Sequence, residues 1–336
     1  STVAQALCGR VPLGANAHLD EDTLADQLVA SLPTPPSVSS QPAATRARDP
    51  KITTRDLVYT YDRGLPTARR GLDGVSVEIQ AGSVVALVGA SGSGKTTFAQ
   101  HLNALLKPED GQVFFDGKDV WGQVSQAAMR RKVGLVFQFP ELQLFEETVA
   151  LDVAFGPRNL GLAANEVDRR VDRALQAAGL PTDRFGERSP FALSGGEKRR
   201  AAIAGVLAME PEVLVLDEPT AGLDPGSRQA LLDQLMLLNE AGTTILLITH
   251  DTSLVAEVAQ WLIVMADGSV HWQGPARLAF SDPAVTGLLA PPPSIRLLRA
   301  LSSRGWPVPA SAVTRRETID FVLDAAGATG AATRRE

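Results

Sequence analysis

Residues 84–97 read VVALVGASGSGKTT, an apolar run that leads directly into a glycine-rich loop. The run Val84–Val88 is typical of a strand that is buried on both faces of a parallel sheet. The loop matches G-x-x-x-x-G-K-[ST], and its position after a strand and before a helix indicates phosphate binding. Backbone N–H groups and the positive end of the helix would face the phosphate oxygens. The predicted phosphate loop consists of Gly89, Ala90, Ser91, Gly92, Ser93, Gly94, Lys95, Thr96 and Thr97.

A second apolar run, residues 213–218, reads VLVLDE and ends in two acids. Such a run places carboxylates at the carboxyl edge of a sheet, where ligands bind in open α/β folds. We expect Lys95 to reach the β- and γ-phosphates, and Thr96 and Asp217 to hold magnesium. Glu218 is then placed to orient and polarise the attacking water. Taken alone, the two acids fit a solvated strand end equally well, but beside a phosphate loop we favour the catalytic role.

Short apolar runs alternate with segments of helical composition over the middle of the chain. Strands are predicted at 84–88, 113–115, 133–137, 213–216 and 244–248, and helices at 165–178, 197–209 and 226–240. Strands that alternate with helices are typical of an α/β fold with a mainly parallel sheet.

Composition limits the class of protein. The chain has 336 residues, of which 44% are hydrophobic and 21% are charged, as is usual for a globular protein with a sizeable core. The formal net charge of -6 provides no global basic field, so we expect no nucleic-acid partner. Cys8 is the single cysteine, which excludes an internal disulfide. No run approaches the ~18 apolar residues of a membrane helix, and the start lacks the pattern of a secretory signal. If the protein serves a membrane process, other chains must supply the spans.

The two ends of the sequence differ from its middle. Residues 1–50 are rich in proline, serine and alanine, and we predict a poorly ordered extension, within which leucines between 19 and 32 could line a short helix. Residues 51–280 are predicted to form the nucleotide-binding domain. Residues 281–336 are predicted to form a small helical region after the prolines at 291–293. There, Thr314 and Glu317 have capping-box spacing.

Residues 193–197 read LSGGE and separate this chain from other phosphate-loop proteins. The segment resembles the L-S-G-G-Q signature of the ABC-transporter ATPases, with glutamate in place of the glutamine. Taken alone, it fits a glycine loop that caps a helix. The resemblance implies a P-loop NTPase fold with an antiparallel β subdomain and a helical signature subdomain, and ATP with Mg²⁺ as cofactors. It also implies that the γ-phosphate of ATP held by an opposite subunit is bound by Ser194, Gly195, Gly196 and Glu197.

Further residues match motifs of that family in the expected order. Gln138 matches the Q-loop glutamine, which implies a magnesium contact and a link to a membrane partner. Asp224 ends a segment that resembles the D-loop, which passes between two subunits. His250 matches the switch histidine that contacts the γ-phosphate. Tyr61 is the candidate for stacking on adenine, with Tyr59 as its competitor.

Two longer segments restrict the resemblance to one group within the ABC-transporter ATPases. Residues 137–149 (FQFPELQLFEETV) and 152–157 (DVAFGP), together with Gly205, resemble the energy-coupling-factor importers and their cobalt/nickel-type relatives. The resemblance implies an ATPase subunit at the cytoplasmic face of the cell membrane. There it would pair with an identical or homologous ATPase and bind a transmembrane T component. A separate membrane protein would capture the vitamin or metal ion.

Three alternatives share the core motifs. An exporter ATPase would differ only at the segments that narrow the resemblance. A soluble ABC ATPase of DNA repair would carry a long coiled coil, and one of translation would carry two ATPase domains. A non-enzymatic nucleotide-gated regulator would have no use for Glu218 and His250, both of which are present.

Overall fold

The computed structural model describes residues 20–31, 49–308 and 314–332, which fold into two compact units. The larger unit lies within 47–250 and 263–273, and the smaller unit contains 251–262 together with described residues near the two ends of the chain. Most of the predicted extension, 1–19 and 32–48 with Cys8, lies outside the described residues.

The strands and helices have the following bounds. The strands are β1 (Pro50–Tyr61), β2 (Arg69–Gln80), β3 (Val84–Val88), β4 (Asp110–Phe115), β5 (Lys118–Asp119), β6 (Val133–Val136), β7 (Val213–Asp217), β8 (Thr244–Ile248), β9 (Trp261–Ala266) and β10 (Ser269–Pro275). The helices are α1 (Glu21–Ser31), α2 (Lys95–Leu102), α3 (Gln126–Lys132), α4 (Val149–Asn159), α5 (Ala164–Ala177), α6 (Thr182–Phe185), α7 (Gly195–Leu207), α8 (Pro225–Glu240), α9 (Thr252–Val258), α10 (Ala276–Ala279), α11 (Pro283–Thr286), α12 (Pro293–Ser303) and α13 (Arg315–Ala332), with 3-10 turns at Pro140–Gln143 and Pro190–Ala192.

A six-stranded sheet forms the centre of the larger unit, in the order β10-β9-β3-β8-β7-β6. Strands β6, β7, β8 and β3 run parallel, which confirms the mainly parallel sheet predicted from the apolar runs. Every residue of β3, β7 and β8 is buried, as expected for strands covered on both faces. Because parallel strands end at one edge, the loops after β3, β7 and β8 meet there.

A second sheet is antiparallel, in the order β2-β1-β4-β5. Its β1–β2 ladder begins with Pro50 opposite Gln80 and ends with Tyr61 opposite Arg69. Alternate residues of β2 from Val75 to Ile79 are buried, the pattern of a strand with one covered face. This sheet is the antiparallel β subdomain that the family resemblance implied.

Helices between β6 and β7 pack on one another, with α4 and α5 both against α7. Helix α5 agrees with the prediction at 165–178, since Val167, Val171 and Leu175 are buried at helical spacing. Helix α7 begins at the LSGGE segment, so this region corresponds to the implied helical signature subdomain.

The smaller unit has a core shared by α1, α12 and α13. Leu24 and Leu28 of α1 are fully buried with Leu297 and Leu301 of α12. Arg304 adds ion pairs to two aspartates of α1, at 2.6 Å from Asp26 and 3.4 Å from Asp22. The predicted capping box is present, because Thr314 donates to the Glu317 carboxylate and accepts from the Glu317 amide at 3.1 Å.

In the part of the chain that the structure describes, no helix combines the length and the apolar character needed to cross a bilayer.

Candidate functional site

The phosphate loop joins β3 to α2 and closes on the ammonium group of Lys95. The Lys95 Nζ atom donates to the carbonyl oxygens of Gly89, at 2.9 Å, and Ala90, at 2.8 Å. Two glycines are required by close approach: a Cβ on Gly89 would overlap the Met265 carbonyl, and one on Gly94 would lie 2.6 Å from the Gly71 carbonyl oxygen. The sequence therefore folds this loop tightly around one cation, with its N–H groups available to phosphate oxygens.

Thr96 and Asp217 bring the loop and the end of β7 together. The Thr96 hydroxyl donates to Asp217 Oδ2 at 2.7 Å. Burial raises the pKa of the Asp217 carboxyl, and the neighbouring Glu218 charge adds to this, against the hydrogen bond from Thr96. Burial also lowers the pKa of Lys95, while the charges of Asp217 and Glu218 oppose that shift. Two acids and one lysine thus share a partly dehydrated site at the sheet edge.

Glu218 is held by groups that follow the neighbouring strand β8. Its Oε1 atom accepts from the His250 backbone N–H at 3.1 Å and lies 2.7 Å from His250 Nδ1. Its Oε2 atom accepts from the Thr249 hydroxyl at 3.2 Å. Because a carboxylate only accepts, the Nδ1 atom of His250 carries the proton in this contact. Only 12% of the Glu218 side chain is exposed, whereas 77% of the His250 side chain is exposed.

Glu218 also has an unusual backbone conformation. Its φ angle of 49° lies in the left-handed region, which costs a glutamate ~1–3 kcal/mol. The Glu218 N–H donates to the Ile248 carbonyl at 2.9 Å, so strand pairing stabilises this geometry. Non-glycine residues in such conformations cluster at functional sites.

Gln138 follows β6 at the same sheet edge and is exposed. Within the described residues its side chain makes no hydrogen bond, so the structure does not join it directly to Thr96 or Asp217. Gln138 is two residues beyond Val136, which is opposite Leu216 of β7. It therefore follows the strand next to the one that ends in Asp217 and Glu218.

An open pocket lies beside the phosphate loop and is lined by that loop, the start of α2 and the antiparallel sheet. It includes the predicted Tyr61, Gly92, Gly94, Lys95, Thr96 and Thr97, and also Arg69, Arg70 and Gly71. The Tyr61 hydroxyl lies 2.9 Å from that of Thr97, and 37% of Tyr61 is exposed. Tyr59 instead packs edge-on between Tyr61, at 4.9 Å, and the fully buried His101, at 5.0 Å. These positions favour Tyr61 over Tyr59 as the aromatic residue that faces a ligand.

The LSGGE segment forms the N-terminus of α7. Ser194 is the N-cap and accepts from the Glu197 N–H at 3.3 Å, while the Glu197 carboxylate accepts from the Ser194 N–H and hydroxyl, both at 2.8 Å. These bonds, the backbone bond foremost, hold the pKa of Glu197 below its usual range. In the described chain no hydrogen bond joins Ser194, Gly195, Gly196 or Glu197 to the phosphate loop. The spacing S-x-x-E is the sequence signal for this capping box.

Asp224 caps the N-terminus of α8. Its carboxylate accepts from the N–H groups of Gly226 and Ser227, both at 3.0 Å. Hydrogen bonding from the Ser227 side chain, and then from these N–H groups, lowers the pKa of Asp224. The Ser227 side chain and Leu223 approach Gly196 of the signature helix, so the D-loop and the signature are neighbours within one chain. The structure thus gives Asp224 a capping role and does not place it in the pocket.

Arg199 was not singled out from the sequence. It is 3% exposed and donates to the Ala221 carbonyl, and its Nε lies 3.5 Å from the Glu141 carboxylate. Arg199 therefore connects α7 to the segment after Glu218 and to the 3-10 turn after Gln138. Its partners are 58 and 22 positions away, beyond any local pattern, and no sequence signal identifies them.

Comparisons with known proteins identify related sequences. A family model described as ABC transporter matches residues 72–221. The energy-coupling factor transporter ATP-binding protein EcfA2 of Clostridium tetani is 44% identical over 76% of this chain and 90% of its own length. EcfA2 of Clostridioides difficile is 48% identical over 69% of this chain and 82% of its own.

Solved structures show the same fold. CbiO1 of Clostridium perfringens, described as part of the ABC transporter complex CbiONQ, superposes with a TM-score of 0.64 at 35% identity, over 77% of this chain and 96% of that one. A dimeric ATP-binding cassette in a post-hydrolysis state, bound to ADP and Pi, gives a TM-score of 0.60 at 29% identity, over 67% of this chain and 98% of that one.

Proposed function

Because this chain belongs to the ABC transporter family, as an ATP-hydrolysing subunit of the energy-coupling-factor type, we propose that it powers uptake of a vitamin or transition-metal ion through a membrane partner. The curated relatives do not favour an exporter or a soluble ABC ATPase. The observation that carries the mechanism is the separation of two anion sites, the phosphate loop and the LSGGE helix, within a single chain.

In the proposed mechanism, two ATPase subunits pair head to tail. Each ATP lies between the phosphate loop of one subunit and Ser194–Glu197, or the equivalent segment, of the other. Binding closes the pair because the γ-phosphate completes both half-sites, and hydrolysis removes that connection. The resulting opening and closing is a shift between two populations driven by their different affinities for ATP.

The residues of this chain fit the magnesium ion that such a site uses. The Thr96 hydroxyl and the Asp217 carboxylate, 2.7 Å apart, offer adjacent oxygen donors of the kind that Mg²⁺ prefers. An ion held by these oxygens would supply positive charge that neutralises charge developing on the phosphate oxygens. Gln138, at the end of the adjacent strand, is the proposed third contact. Lys95 exchanges its loop carbonyls for the β- and γ-phosphate oxygens when ATP enters.

Glu218 is the proposed general base. Its carboxylate takes a proton from water as the water oxygen attacks the γ-phosphorus and the bond to ADP breaks. The amide of His250 and the hydroxyl of Thr249 fix the carboxylate in position. The exposed imidazole of His250 can turn from Glu218 toward the γ-phosphate, where its N–H stabilises the added charge.

The proposed membrane partner, a T component, binds near the Gln138–Val149 segment. Several large apolar side chains are exposed there. Exposed apolar residues that are scattered singly are common on protein surfaces, whereas a cluster of them is typical of an interaction site. Phe145 and Phe155 pack edge-on at 5.0 Å, each about half exposed. Phe139 and Leu142 of the same segment are also exposed. Binding there would hold the subunit at the cytoplasmic face of the membrane.

Nucleotide-driven association tests the proposal. We expect purified Glu218→Gln protein, alone or with a homologous partner ATPase, to associate more strongly with Mg-ATP than with Mg-ADP in light scattering. A Cβ on Gly195 meets no atom within 4 Å, so Gly195→Asp fits the monomer but places a carboxylate in the γ-phosphate position. This variant should bind ATP yet fail to associate, while Gly195→Ala should retain association. Equal association with ATP and ADP would contradict the mechanism.

Co-purification from membranes tests the partner. A T-type membrane protein together with a second ATPase is the expected result. Polytopic exporter halves in their place would overturn the importer assignment.

A further inference from the structure

The β1–β2 ladder ends in a pair that faces the phosphate loop. Tyr61 of β1 lies directly opposite Arg69 of β2. Residues directly opposite in an antiparallel pair project to the same face of the sheet. Tyr61 lines the pocket beside the phosphate loop, and Arg69 lines the same pocket. A cationic side chain therefore accompanies the aromatic residue proposed to stack on adenine.

The guanidinium group of Arg69 reaches the loop itself. Its Nη2 atom lies 3.1 Å from the position that a Cβ on Gly92 would take. Gly92 is in the middle of the phosphate loop, three residues before Lys95. The side chain thus spans from the sheet to the loop whose N–H groups face phosphate oxygens.

Arg69 differs from its neighbour in its partners. Arg70 donates to the Thr60 hydroxyl at 3.1 Å and forms ion pairs with Asp73 at 3.4 Å and Glu109 at 3.7 Å. Arg69 is exposed and forms no ion pair or side-chain hydrogen bond with any described residue. An arginine has five donors in a planar fork that matches phosphate oxygens. Among the two, Arg69 is the one whose donors are available to a ligand.

We propose that Arg69 is a binding residue for the polyphosphate chain of the nucleotide, and that Arg69 and Tyr61 act as two ends of one clamp. Tyr61 holds the base, and Arg69 holds the phosphates beside the phosphate loop. The inference rests on the proposed function only in taking ATP as the ligand.

Displacement of a fluorescent ATP analogue from the full-length protein tests the clamp, with ATP and inorganic tripolyphosphate as competitors at fixed Mg²⁺. Arg69→Gln should weaken both competitors by about tenfold, the ratio expected for one charge-assisted contact at a partly exposed position. Tripolyphosphate has no base. An equal loss of affinity for ATP and for tripolyphosphate would therefore place Arg69 at the phosphates. The loss should shrink as salt rises, because exposed charges are screened.

Arg63→Gln is the matched control, because it makes the same charge change at an exposed arginine between β1 and β2 that does not line the pocket; it should alter either affinity by less than about twofold, as exposed ion pairs contribute little. Thermal unfolding of each variant should stay within a few degrees of the parent protein. Unchanged tripolyphosphate affinity in Arg69→Gln, or an equal loss in Arg63→Gln, would overturn the proposal. If the parent protein itself failed to bind ATP, the proposed function would fail instead.

Discussion

Replacing Glu218 with glutamine should leave ATP binding intact and slow hydrolysis by about 10²–10⁴-fold, the contribution of a positioned general base. This factor corresponds to about 2.7–5.5 kcal/mol in the activation free energy. The amide cannot accept the proton of the attacking water, and no other carboxylate accepts hydrogen bonds from both Thr249 and His250 among the described residues.

The structure indicates that this substitution changes chemistry more than folding. A glutamine carbonyl oxygen at the Oε1 position can still accept from the amide and Nδ1 of His250. The glutamine amide can donate to the Thr249 hydroxyl, since a hydroxyl both donates and accepts. We therefore expect the free energy of unfolding to change by less than about 1 kcal/mol, far below the effect on the barrier.

Steady-state phosphate release, together with nucleotide affinity and thermal unfolding, separates the two effects. Glu240→Gln provides the matched control, because Glu240 is exposed at the end of α8 and should retain parental turnover. Near-normal turnover in Glu218→Gln would remove Glu218 from the role of base. Weakened ATP affinity of the same size as the loss in rate would instead indicate a binding role.

Three further changes have definite expected outcomes. Lys95→Ala should weaken Mg-ATP binding by at least about tenfold, because a charge-assisted contact to phosphate contributes about 1.5–3 kcal/mol. Displacement of the fluorescent ATP analogue measures this, and unchanged affinity would contradict phosphate binding by the phosphate loop. Glu197→Ala should lower the free energy of unfolding by about 1 kcal/mol at pH 7 through loss of the capping box, as measured by urea denaturation. Because the pKa of Glu197 is lowered in the folded protein, the stabilisation by its carboxylate is complete above the ordinary glutamate pKa and is lost as the pH falls through the folded pKa. A stability difference between the parent and Glu197→Ala that grew on acidification would refute this explanation. Arg199→Met should destabilise the protein by about 1–3 kcal/mol in the same assay, since it leaves the Pro219 and Ala221 carbonyls without their donor and removes the ion pair to Glu141; a stability equal to the parent would show that the Arg199 contacts contribute nothing.

Local patterns predicted the parts of the site that lie close together in the chain. The phosphate loop, the acids after β7 and the helix bearing Ser194 each have a signature a few residues long, and the buried strands are continuous apolar runs. The assigned ligand roles of these residues remain predictions, since they depend on a nucleotide. The capping role of Asp224 also had a local signal, an aspartate followed by proline at the first helical position.

Other features depend on contacts between distant residues. Arg69 lies beside Tyr61 in the pocket because the β1–β2 register places the two opposite each other. Composition gives no hint that the adjacent Arg70, which also lines the pocket, is the one engaged by Asp73 and Glu109. Arg199 acquires its acceptors only when α7 packs beside the segment after Glu218. Helix α1 lies in a stretch whose composition predicted poor order, yet Leu24 and Leu28 are buried by residues more than 260 positions away.

That packing has a practical consequence for anyone who shortens the protein to its catalytic region. Deleting everything before residue 49 would expose Leu297 and Leu301 to water. An exposed pair of leucines promotes aggregation of the purified protein. The deletion would also remove the ion pairs that the Arg304 guanidinium forms with two aspartates of α1. A shortened version should therefore either keep residues 20–31 joined by a flexible spacer or also replace both leucines with polar side chains.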